Sequence, residues 1–562
     1  MFRPKLFTLV STKNPSLNKN QITKDIVSGI IVAIIALPLS IALGIASGVE
    51  PEKGLITAVI AGFLISFLGG SRVQIGGPTG AFVIIVYGII SQFGIEGLTI
   101  ATIMAGVFMI LFGLMQFGSI IKYIPYPITT GFTSGIAVVL FSTQVKDFLG
   151  LEIVSVPSEF FEKWHSYISN MHTLSLPTVS VGLLSLLIIV LWPKINRTIP
   201  GSLIALLIST GIVAAFNLPV LTIGDHFGEI SSKITLIDLA AIEISIPIIR
   251  NLIPPALTIA FLASIESLLS AVVADGMIGK KHRSNTELIA QGVANIGSAV
   301  FGGIPATGAI ARTAANVKNG GRTPIAGIVH ALFLLLIMQI FMPLAKLIPM
   351  TSLGAILLVV AYNMSEWRSF KGLLRSTKSD VAVLLLTFIL TVVFDLIIAI
   401  QIGMLAAMFL FIRRMADSTQ VANTASMYKN ILDDEDDEDM ETDSISHDYL
   451  GSKILVYDIN GPLFFGAANT FLDILNELKT HTEFLILKMD NVPNMDATAL
   501  DALKRIHKRC VKQKTALYYC GVNEQPLKIL RVSGYIDDVG EYNFFDDVKD
   551  AVKSAAVKVS KL

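Results

Sequence analysis

The chain has 562 residues, of which 53% are hydrophobic and only 15% are charged, and its mean hydropathy is +0.68. A soluble protein carries about 25% charged residues, so most of this chain is expected to lie in lipid. The formal net charge is zero, which gives no indication of a nucleic-acid partner. The two cysteines, Cys510 and Cys520, are too few for a disulfide framework and suggest neither a metal site nor a cofactor.

Long apolar runs fill the chain from about residue 25 to residue 415. A helix needs about 20 apolar residues to span a hydrocarbon core of roughly 30 Å. Runs of that length are predicted at 26–47, 55–70, 98–118, 129–149, 174–192, 199–216, 252–274, 323–345, 381–398 and 399–412. Shorter or interrupted runs lie near 79–93, 286–301, 307–317 and 351–363. Together they predict about 14 membrane spans, divided into roughly seven plus seven by the polar loop at 217–250.

The first of two related sequence patterns interrupts these runs at Gly76-Gly77-Pro78-Thr79-Gly80-Ala81, and the second at Gly302-Gly303-Ile304-Pro305-Ala306-Thr307-Gly308-Ala309. Corresponding breaks in two halves of a hydrophobic chain indicate discontinuous helices at a transport site. A helix that begins inside the membrane directs free amides and a partial charge of about +0.5 into the cavity in front of it. Two such ends would bind an anion without a fixed cation. The alternative is that both elements are helix kinks and close-packing contacts.

Six residues of these patterns are the predicted substrate-binding set. The hydroxyl groups of two of them would add donors, and the glycines would let the ligand approach the backbone closely. The set is Pro78, Thr79, Gly80, Ala306, Thr307 and Gly308.

Glu266 lies in the middle of the apolar run at 252–274. A carboxylate at the bilayer centre costs about 2.5–3.5 kcal/mol on insertion scales, so it is predicted to be functional. Ser270 lies one helical turn further on the same face, and both are predicted to serve ion coupling. The alternative is a structural ion pair between Glu266 and Arg312, the arginine that follows the second pattern.

Loop charges predict the orientation of the chain. The connections on the side of the N-terminus carry basic residues, and acidic residues dominate the opposite side. Because basic loops stay in the cytoplasm, both termini are predicted to be cytoplasmic. The basic residues are Arg72, Lys122, Lys194, Arg197, Lys280, Lys281, Arg283, Lys318, Arg322, Arg368, Lys371, Arg375, Lys378, Arg413 and Arg414.

Beyond the last apolar run the composition becomes that of a soluble α/β protein. The acidic run at 433–439 predicts a solvated, disordered linker, with docking on a basic cytoplasmic face as the alternative. Strands are predicted at 453–459, 484–489 and 515–521, and helices at 468–478, 497–512 and 525–533. The predicted domains are therefore a cytoplasmic segment (1–24), a transport domain (25–415), an acidic linker (416–449) and a cytoplasmic α/β domain (450–562).

These motifs resemble the sulfate permease (SulP) family of anion transporters, and the C-terminal region resembles the STAS domain of that family. The resemblance covers about 25–550 and includes ALPLSIALG at 36–44, SIESLL at 264–269 and NVKNGGRTP at 316–324. It implies a 7+7 inverted repeat with core and gate domains, a homodimer, and elevator-like alternating access in the cell membrane. The glutamate, DGM at 275–277, NMSE at 363–366 and GPLFF at 461–465 are most similar to a bacterial subgroup that moves C4-dicarboxylates with protons.

The predicted function is therefore secondary active transport of a small anion, either a C4-dicarboxylate, sulfate or bicarbonate, coupled to protons. No arrangement of nucleophile, base or paired carboxylates suggests an enzyme. The alternatives are a passive anion channel, a sodium-coupled bicarbonate transporter, and a receptor or scaffold in which the C-terminal domain signals.

Overall fold

A computed structural model describes residues 2–11, 18–119, 125–153, 156–157, 159–196, 199–238, 245–394, 396–417, 420–423, 453–464 and 482–559. The chain forms two compact units, Met1–Leu405 and Ala406–Leu562. The boundary falls inside a helix, about ten residues before the end of the predicted transport domain at 415. The acidic run at 433–439 and the predicted helix at 468–478 lie outside the described residues.

Helices dominate the chain before residue 418. In the described residues they are α1 Lys5–Ser11, α2 Lys19–Ala46, α3 Pro51–Leu68, α4 Gly80–Leu114, α5 Tyr126–Leu149, α6 Phe160–Ser169, α7 Leu176–Ile195, α8 Gly201–Phe216, α9 Ile223–Phe227, α10 Ile246–Ile278, α11 Ser284–Val300, α12 Ile310–Lys318, α13 Ile325–Ala345, α14 Met350–Met364, α15 Trp367–Leu373, α16 Lys378–Val393 and α17 Leu396–Asp417.

Seven of the described helices, α2, α3, α4, α5, α7, α10 and α13, are long and apolar enough to cross a membrane, and α8 is a shorter apolar helix. The prediction of a polytopic helical membrane protein is confirmed. The predicted runs at 79–93 and 98–118 form one kinked helix, α4, because Gly94 adopts φ 69° and ψ −172° inside it. Only a residue without a Cβ adopts that conformation readily, so the kink follows from glycine.

Glycine also explains how closely the two halves of the chain pack. Helix α4 of the first half lies against α11 of the second half. A Cβ on Gly106 would lie 2.6 Å from the Gly292 carbonyl oxygen, and a Cβ on Gly292 would lie 2.5 Å from the Gly106 carbonyl oxygen. Such small-residue contacts are the usual means by which membrane helices approach each other.

Two short strands, β1 Gly76–Gly77 and β2 Thr307–Gly308, lie in the first unit. The C-terminal unit contains a five-stranded sheet of β3 Gln420–Asn423, β4 Ile454–Asn460, β5 Phe484–Asn491, β6 Ala516–Cys520 and β7 Phe544–Phe545, paired in that order. The first strand of this sheet is antiparallel to the second, and the other pairs are parallel. Besides the end of α17, the helices in the described residues of this unit span Ala497–Gln513, Glu524–Val532, Tyr535–Val539 and Val548–Val559.

Both faces of this sheet are buried, as expected for parallel strands. Leu485 and Leu487 of β5 belong to a core shared with the helix Ala497–Gln513, whereas Ile486 belongs to the core shared with Val548–Val559. The α/β prediction is confirmed for the described strands and helices. Strand β3 lies within 416–449, the stretch that was predicted to be linker.

Candidate functional site

The two glycine- and proline-containing patterns, 76–81 and 302–309, are called here the first and second broken segments, and they meet as a short antiparallel ladder. Strand β1, Gly76–Gly77, pairs with β2, Thr307–Gly308, so that Gly76 faces Gly308 and Gly77 faces Thr307. The Ala309 amide extends this ladder by donating to the Ile75 carbonyl at 2.9 Å. Backbone groups released by a break inside a membrane must be paired within the protein, and here each break pairs with the other. The structure thus brings the two predicted halves of the site together.

A helix begins directly after each strand. Thr79 is the N-cap of α4 and Ala309 is the N-cap of α12, and neither side chain accepts a hydrogen bond from its helix. Each helix N-terminus carries a partial positive charge of about 0.5, which favours an anion. The arrangement can therefore hold an anion with amides from both halves of the chain.

Glu266 of α10 lies at the start of α4. The Thr79 hydroxyl donates to Glu266 Oε2 at 3.0 Å. Its hydrogen-bond partner therefore comes from the first broken segment. The structure therefore places the predicted coupling residue in contact with a predicted substrate-binding residue.

Arg312 of α12 joins the two broken segments. Its Nη2 donates to the Pro78 carbonyl, and its Nη1 is buried with no hydrogen-bond partner among the residues that the structure describes. Among the described residues, Arg312 and Glu266 form no ion pair within 4 Å, so the structure does not show the predicted pairing. The reason is that α12 directs the guanidinium toward β1, where a Cβ on Gly77 would lie 2.3 Å from Nη1.

Two further predicted residues hold helices together in this conformation. The Thr307 hydroxyl is fully buried and donates to the Ala263 carbonyl at 2.8 Å. The Ser270 hydroxyl donates to Thr313 Oγ1 at 3.2 Å. The first bond connects α10 to the second broken segment and the second connects α10 to α12, so neither hydroxyl group points freely into a cavity.

Asn295 of α11 is a residue that the sequence analysis missed. Its Nδ2 donates to the Ala306 carbonyl, and its Oδ1 accepts from the Ala306 amide, each at 2.9 Å. The side-chain amide therefore pairs with the second broken segment as a neighbouring strand would. A buried asparagine in an apolar helix is a recognisable signal, but its partner is not visible in the sequence.

Gln74 is a second residue whose role was not predicted from the sequence, and its position explains why residue 308 is a glycine. Gln74 Nε2 donates at 3.1 Å to both the carbonyl and the hydroxyl oxygen of Ser267. A Cβ on Gly308 would lie 1.4 Å from that nitrogen. Only glycine leaves room for this crossing.

Side chains from two other helices lie over the start of α4. A Cβ on Gly80 would lie 2.8 Å from Met364 Sδ of α14 and 3.0 Å from Leu140 Cδ2 of α5. These apolar groups form a wall beside the helix N-terminus. The space that an anion could occupy at Gly80 is thus bounded by α5 and α14.

A cavity of about 900 Å³ lies further along the same helices. It reaches Val83 and Ile84, one turn after the start of α4, and Thr258, two turns before Glu266. Two lysines, Lys146 and Lys163, and two acids, Asp147 and Glu159, also line it, so the formal charges of its lining balance.

In the part of the chain that the structure describes, no group of three or more histidine, cysteine, aspartate or glutamate residues could hold a metal ion. The polar groups at the broken segments bind one another or are backbone amides. This donor set suits a small anion better than a metal cofactor.

The chain is similar to known membrane transporters over most of its length. A model described as the sulfate permease family matches residues 22–387, and a STAS domain model matches residues 450–551. The chain is 42% identical over 532 residues to a putative sulfate transporter, YvdB, of Bacillus subtilis, covering 94% of this chain and 97% of that protein. It is 30% identical over 529 residues to the bicarbonate transporter BicA of Picosynechococcus sp., covering 90% and 89%.

Solved structures show the same fold. The overall structure of SLC26A9 superposes with a TM-score of 0.85 at 17% identity, covering 99% of this chain and 93% of that one. The transmembrane domain of a cyanobacterial bicarbonate transporter, BicA, superposes with a TM-score of 0.61 at 28% identity, covering 70% and 98%.

Proposed function

We propose that this chain, which belongs to the sulfate permease family and is an anion transporter, binds its anion between the N-termini of α4 and α12 and couples its movement to a proton carried by Glu266. The observation that carries the proposal is the hydrogen bond between Thr79 and Glu266 at the paired broken segments. It joins the predicted anion site and the predicted proton site through one side chain. The six predicted substrate-binding residues and Ser270 stay part of this proposal.

Electrostatics gives the coupling a physical reason. Two unit charges at 4 Å interact by about 4 kcal/mol when the effective dielectric constant is 20. An ionised Glu266 would therefore oppose an anion at Thr79 by on the order of 10³-fold in affinity. Protonation removes that repulsion, so the loaded carrier would hold the anion and the proton together. Release of one would favour release of the other.

We assign α5 and α14 to the gate against which the core helices move. Support comes from Leu140 and Met364, which bound the site at Gly80. In elevator-like exchange, α4, α10 and α12 would carry the site past these side chains. The cavity next to Val83 supplies an approach for the anion from the side predicted to be extracellular. Multi-pass insertion in the cell membrane and a homodimer complete the proposal.

The decisive experiment is Glu266→Gln in proteoliposomes, because glutamine keeps the shape and cannot carry the proton. We expect loss of anion accumulation driven by a pH gradient, while exchange of labelled anion remains measurable. Glu96→Gln is the matched control, since Glu96 is exposed on a predicted outer connection. Unchanged proton-driven accumulation in Glu266→Gln would exclude Glu266 as the coupling residue. Uptake that never exceeds electrochemical equilibrium in the wild type would instead indicate a channel.

The substrate is the second part of the proposal. Relatives are named as sulfate transporters and as bicarbonate transporters, and the resemblance of the site points to C4-dicarboxylates. The backbone amides at the two helix N-termini can bind any of these anions. A screen of fumarate, succinate, sulfate, bicarbonate and chloride, each with and without a proton gradient, separates them. Repeating the screen with a sodium gradient tests sodium as the coupling ion.

A further inference from the structure

The N-terminal segment carries apolar side chains on its exposed side. Leu9 of α1 is buried, but Phe2, Phe7 and Val10 are 41%, 50% and 64% exposed. The Phe7 ring packs edge-on against Phe67 at the end of α3, with centroids 5.4 Å apart. A helix that buries one apolar side and exposes another at the end of a membrane span is typical of a membrane interface.

Hydrogen bonds fix this segment to the transport unit. The Lys5 amide donates to the Gly69 carbonyl at 2.9 Å, and Lys5 Nζ donates to the Lys281 carbonyl at 2.9 Å. Arg283 Nη1 donates to the Arg3 carbonyl at 2.7 Å and to Thr8 Oγ1 at 2.8 Å. The segment is thus tied both to the end of α3 and to the loop between α10 and α11.

Positive charge accumulates where these elements meet. Lys280 and Lys281 are exposed and form no ion pair within 4 Å with any residue that the structure describes. Burial, and then the nearby charges of Arg283 and Arg72, lower the pKa of Lys5. The nearby acid, Asp275, is engaged with His282 Nδ1 at 2.8 Å. The cations of this surface therefore repel one another and leave room for an external anion.

We propose that Phe2, Phe7 and Val10, together with Lys5, Lys280 and Lys281, form a docking surface for anionic phospholipids in the leaflet on the side of the N-terminus. We call it the N-terminal lipid surface. The lysines would bind the headgroup phosphate, and the apolar side chains would lie against the acyl chains. A basic segment beside a membrane helix gains binding energy from an anionic leaflet with each lysine.

The position of the apolar residues decides between two possible occupants. The acidic run at 433–439 matches the charge of the lysines, and the apolar residues Ile431, Leu432 and Met440 flank it. Phe7, however, packs against Phe67 in the last turn of α3, a helix long and apolar enough to cross a membrane. The exposed apolar side is therefore expected at the bilayer boundary, where phospholipid supplies both a negative headgroup and an apolar chain. The position of the surface thus favours a lipid over the acidic segment.

Hydrogen bonds connect this surface to the first broken segment. The Arg283 amide donates to the Gly70 carbonyl at 3.0 Å, and Glu287 Oε2 accepts from the amides of Gly70 and Ser71 at 2.8 Å and 2.9 Å. Residues 69–75 lead directly into β1. Lipid binding would thus stabilise the connection that positions the first half of the site. This regulatory consequence rests on the proposed transport function.

Native mass spectrometry of the purified full chain tests lipid binding without requiring transport. The protein is incubated with phosphatidylglycerol or with phosphatidylcholine, and the retained lipid is counted. We expect Lys280→Gln/Lys281→Gln to retain about tenfold less phosphatidylglycerol and an unchanged amount of phosphatidylcholine. The matched control is Lys508→Gln/Lys512→Gln, which removes two exposed lysines one helical turn apart in the C-terminal unit. Phe7→Ser/Val10→Ser should also lower phosphatidylglycerol retention while leaving every lysine in place.

Equal retention of the two lipids by the wild type would overturn the proposal, as would an equal loss in the two double lysine variants. Competition by inorganic phosphate at equal concentration would show that the acyl chain contributes nothing and would overturn it too. The acids of 433–439 are also replaced by their amides. If that change raises phosphatidylglycerol retention, the acidic segment occupies Lys280 and Lys281 in the wild type and the proposal is wrong.

Transport in vesicles then tests the consequence. Anion exchange by the wild type should rise about threefold when 30 mol% phosphatidylglycerol replaces phosphatidylcholine, and the Lys280/Lys281 variant should lose this response. An identical response in that variant would overturn the regulatory role. Absence of transport in every lipid mixture, with phosphatidylglycerol retention intact, would count against the proposed transport function and not against the lipid surface.

Discussion

Substitution of Asn295 by alanine should loosen the second broken segment. Asn295 Nδ2 and Oδ1 pair with the carbonyl and the amide of Ala306, each at 2.9 Å, and the side chain is fully buried. Alanine removes both partners and leaves two buried backbone groups without a hydrogen bond. Each such group costs about 1–3 kcal/mol, so the free energy of unfolding should fall by about 2–6 kcal/mol.

The same change should also weaken anion binding. Ala306 immediately precedes β2, and β2 positions the N-terminus of α12. Movement of that segment displaces the amides proposed to face the anion. The half-saturation concentration for transport should therefore rise in proteoliposomes, and the melting temperature of the purified protein should fall by several degrees.

Asn319→Ala is the matched control for this experiment. Asn319 Nδ2 also donates to a backbone carbonyl, that of Ala315, at 2.9 Å, but the bond is exposed to solvent. Water replaces the lost donor there, so its effect should stay within about 0.5 kcal/mol. If Asn295→Ala and Asn319→Ala have the same melting temperature and the same half-saturation concentration, the inference that Asn295 holds the broken segment is wrong.

Three other predictions test separate contacts. Thr79→Val keeps the side-chain shape but removes the hydroxyl that donates to Glu266, so proton-driven uptake should fall. Thr79→Ser keeps the hydroxyl and should retain proton-driven uptake. Equal uptake by the two variants would contradict a role for the hydroxyl. Gly308→Ala should lower the melting temperature because the Cβ of alanine collides with Gln74. The double variant with Gln74→Ala should regain part of the lost melting temperature. If the effects of the two substitutions simply add, the collision is contradicted. Burial raises the pKa of the thiols of Cys510 and Cys520 to about 12. At pH 8, iodoacetamide should therefore react with them on the order of 10³-fold more slowly in the folded chain than in the denatured chain. Equal rates would contradict the buried positions of the two thiols.

The local features of this fold were accessible from the sequence. Apolar runs predicted the helices, and glycine and proline predicted both breaks, because each depends on neighbouring residues only. The kink at Gly94 was different, since the two runs beside it gave no indication that the helix continues across the bend. Strand β3 was also missed, because its pairing partner β4 lies more than 30 residues further along the chain.

Polar contacts between distant segments were not accessible. Gln74 reaches Ser267 of α10, and Asn295 reaches Ala306 just before β2, but neither partner is visible in the sequence. Glu266 was recognised as functional because a carboxylate in a membrane span is costly. Its partner, Thr79, lies 187 positions away and became apparent only when α10 was placed against α4.

The hydrogen bonds around the ladder also restrict where selectivity can arise. The Ala306 backbone is occupied by Asn295, the Thr307 hydroxyl by Ala263, and the Pro78 carbonyl by Arg312. Most polar side chains near the two breaks are therefore structural. At the proposed site, the groups left for an anion are Arg312 Nη1 and the backbone amides at the two helix N-termini, none of which distinguishes one compact anion from another.

Discrimination between anions must then come from the shape of the site rather than from dedicated polar side chains. The wall at the start of α4 is formed by Leu140 of α5 and Met364 of α14. Both are apolar, so at the proposed site they would set the volume available to the anion without offering it a donor. A longer anion requires these two side chains to retreat, whereas a smaller one does not. Substitutions on α5 and α14 should therefore change which anion is carried more readily than substitutions in the broken segments, which should change whether any anion is carried at all.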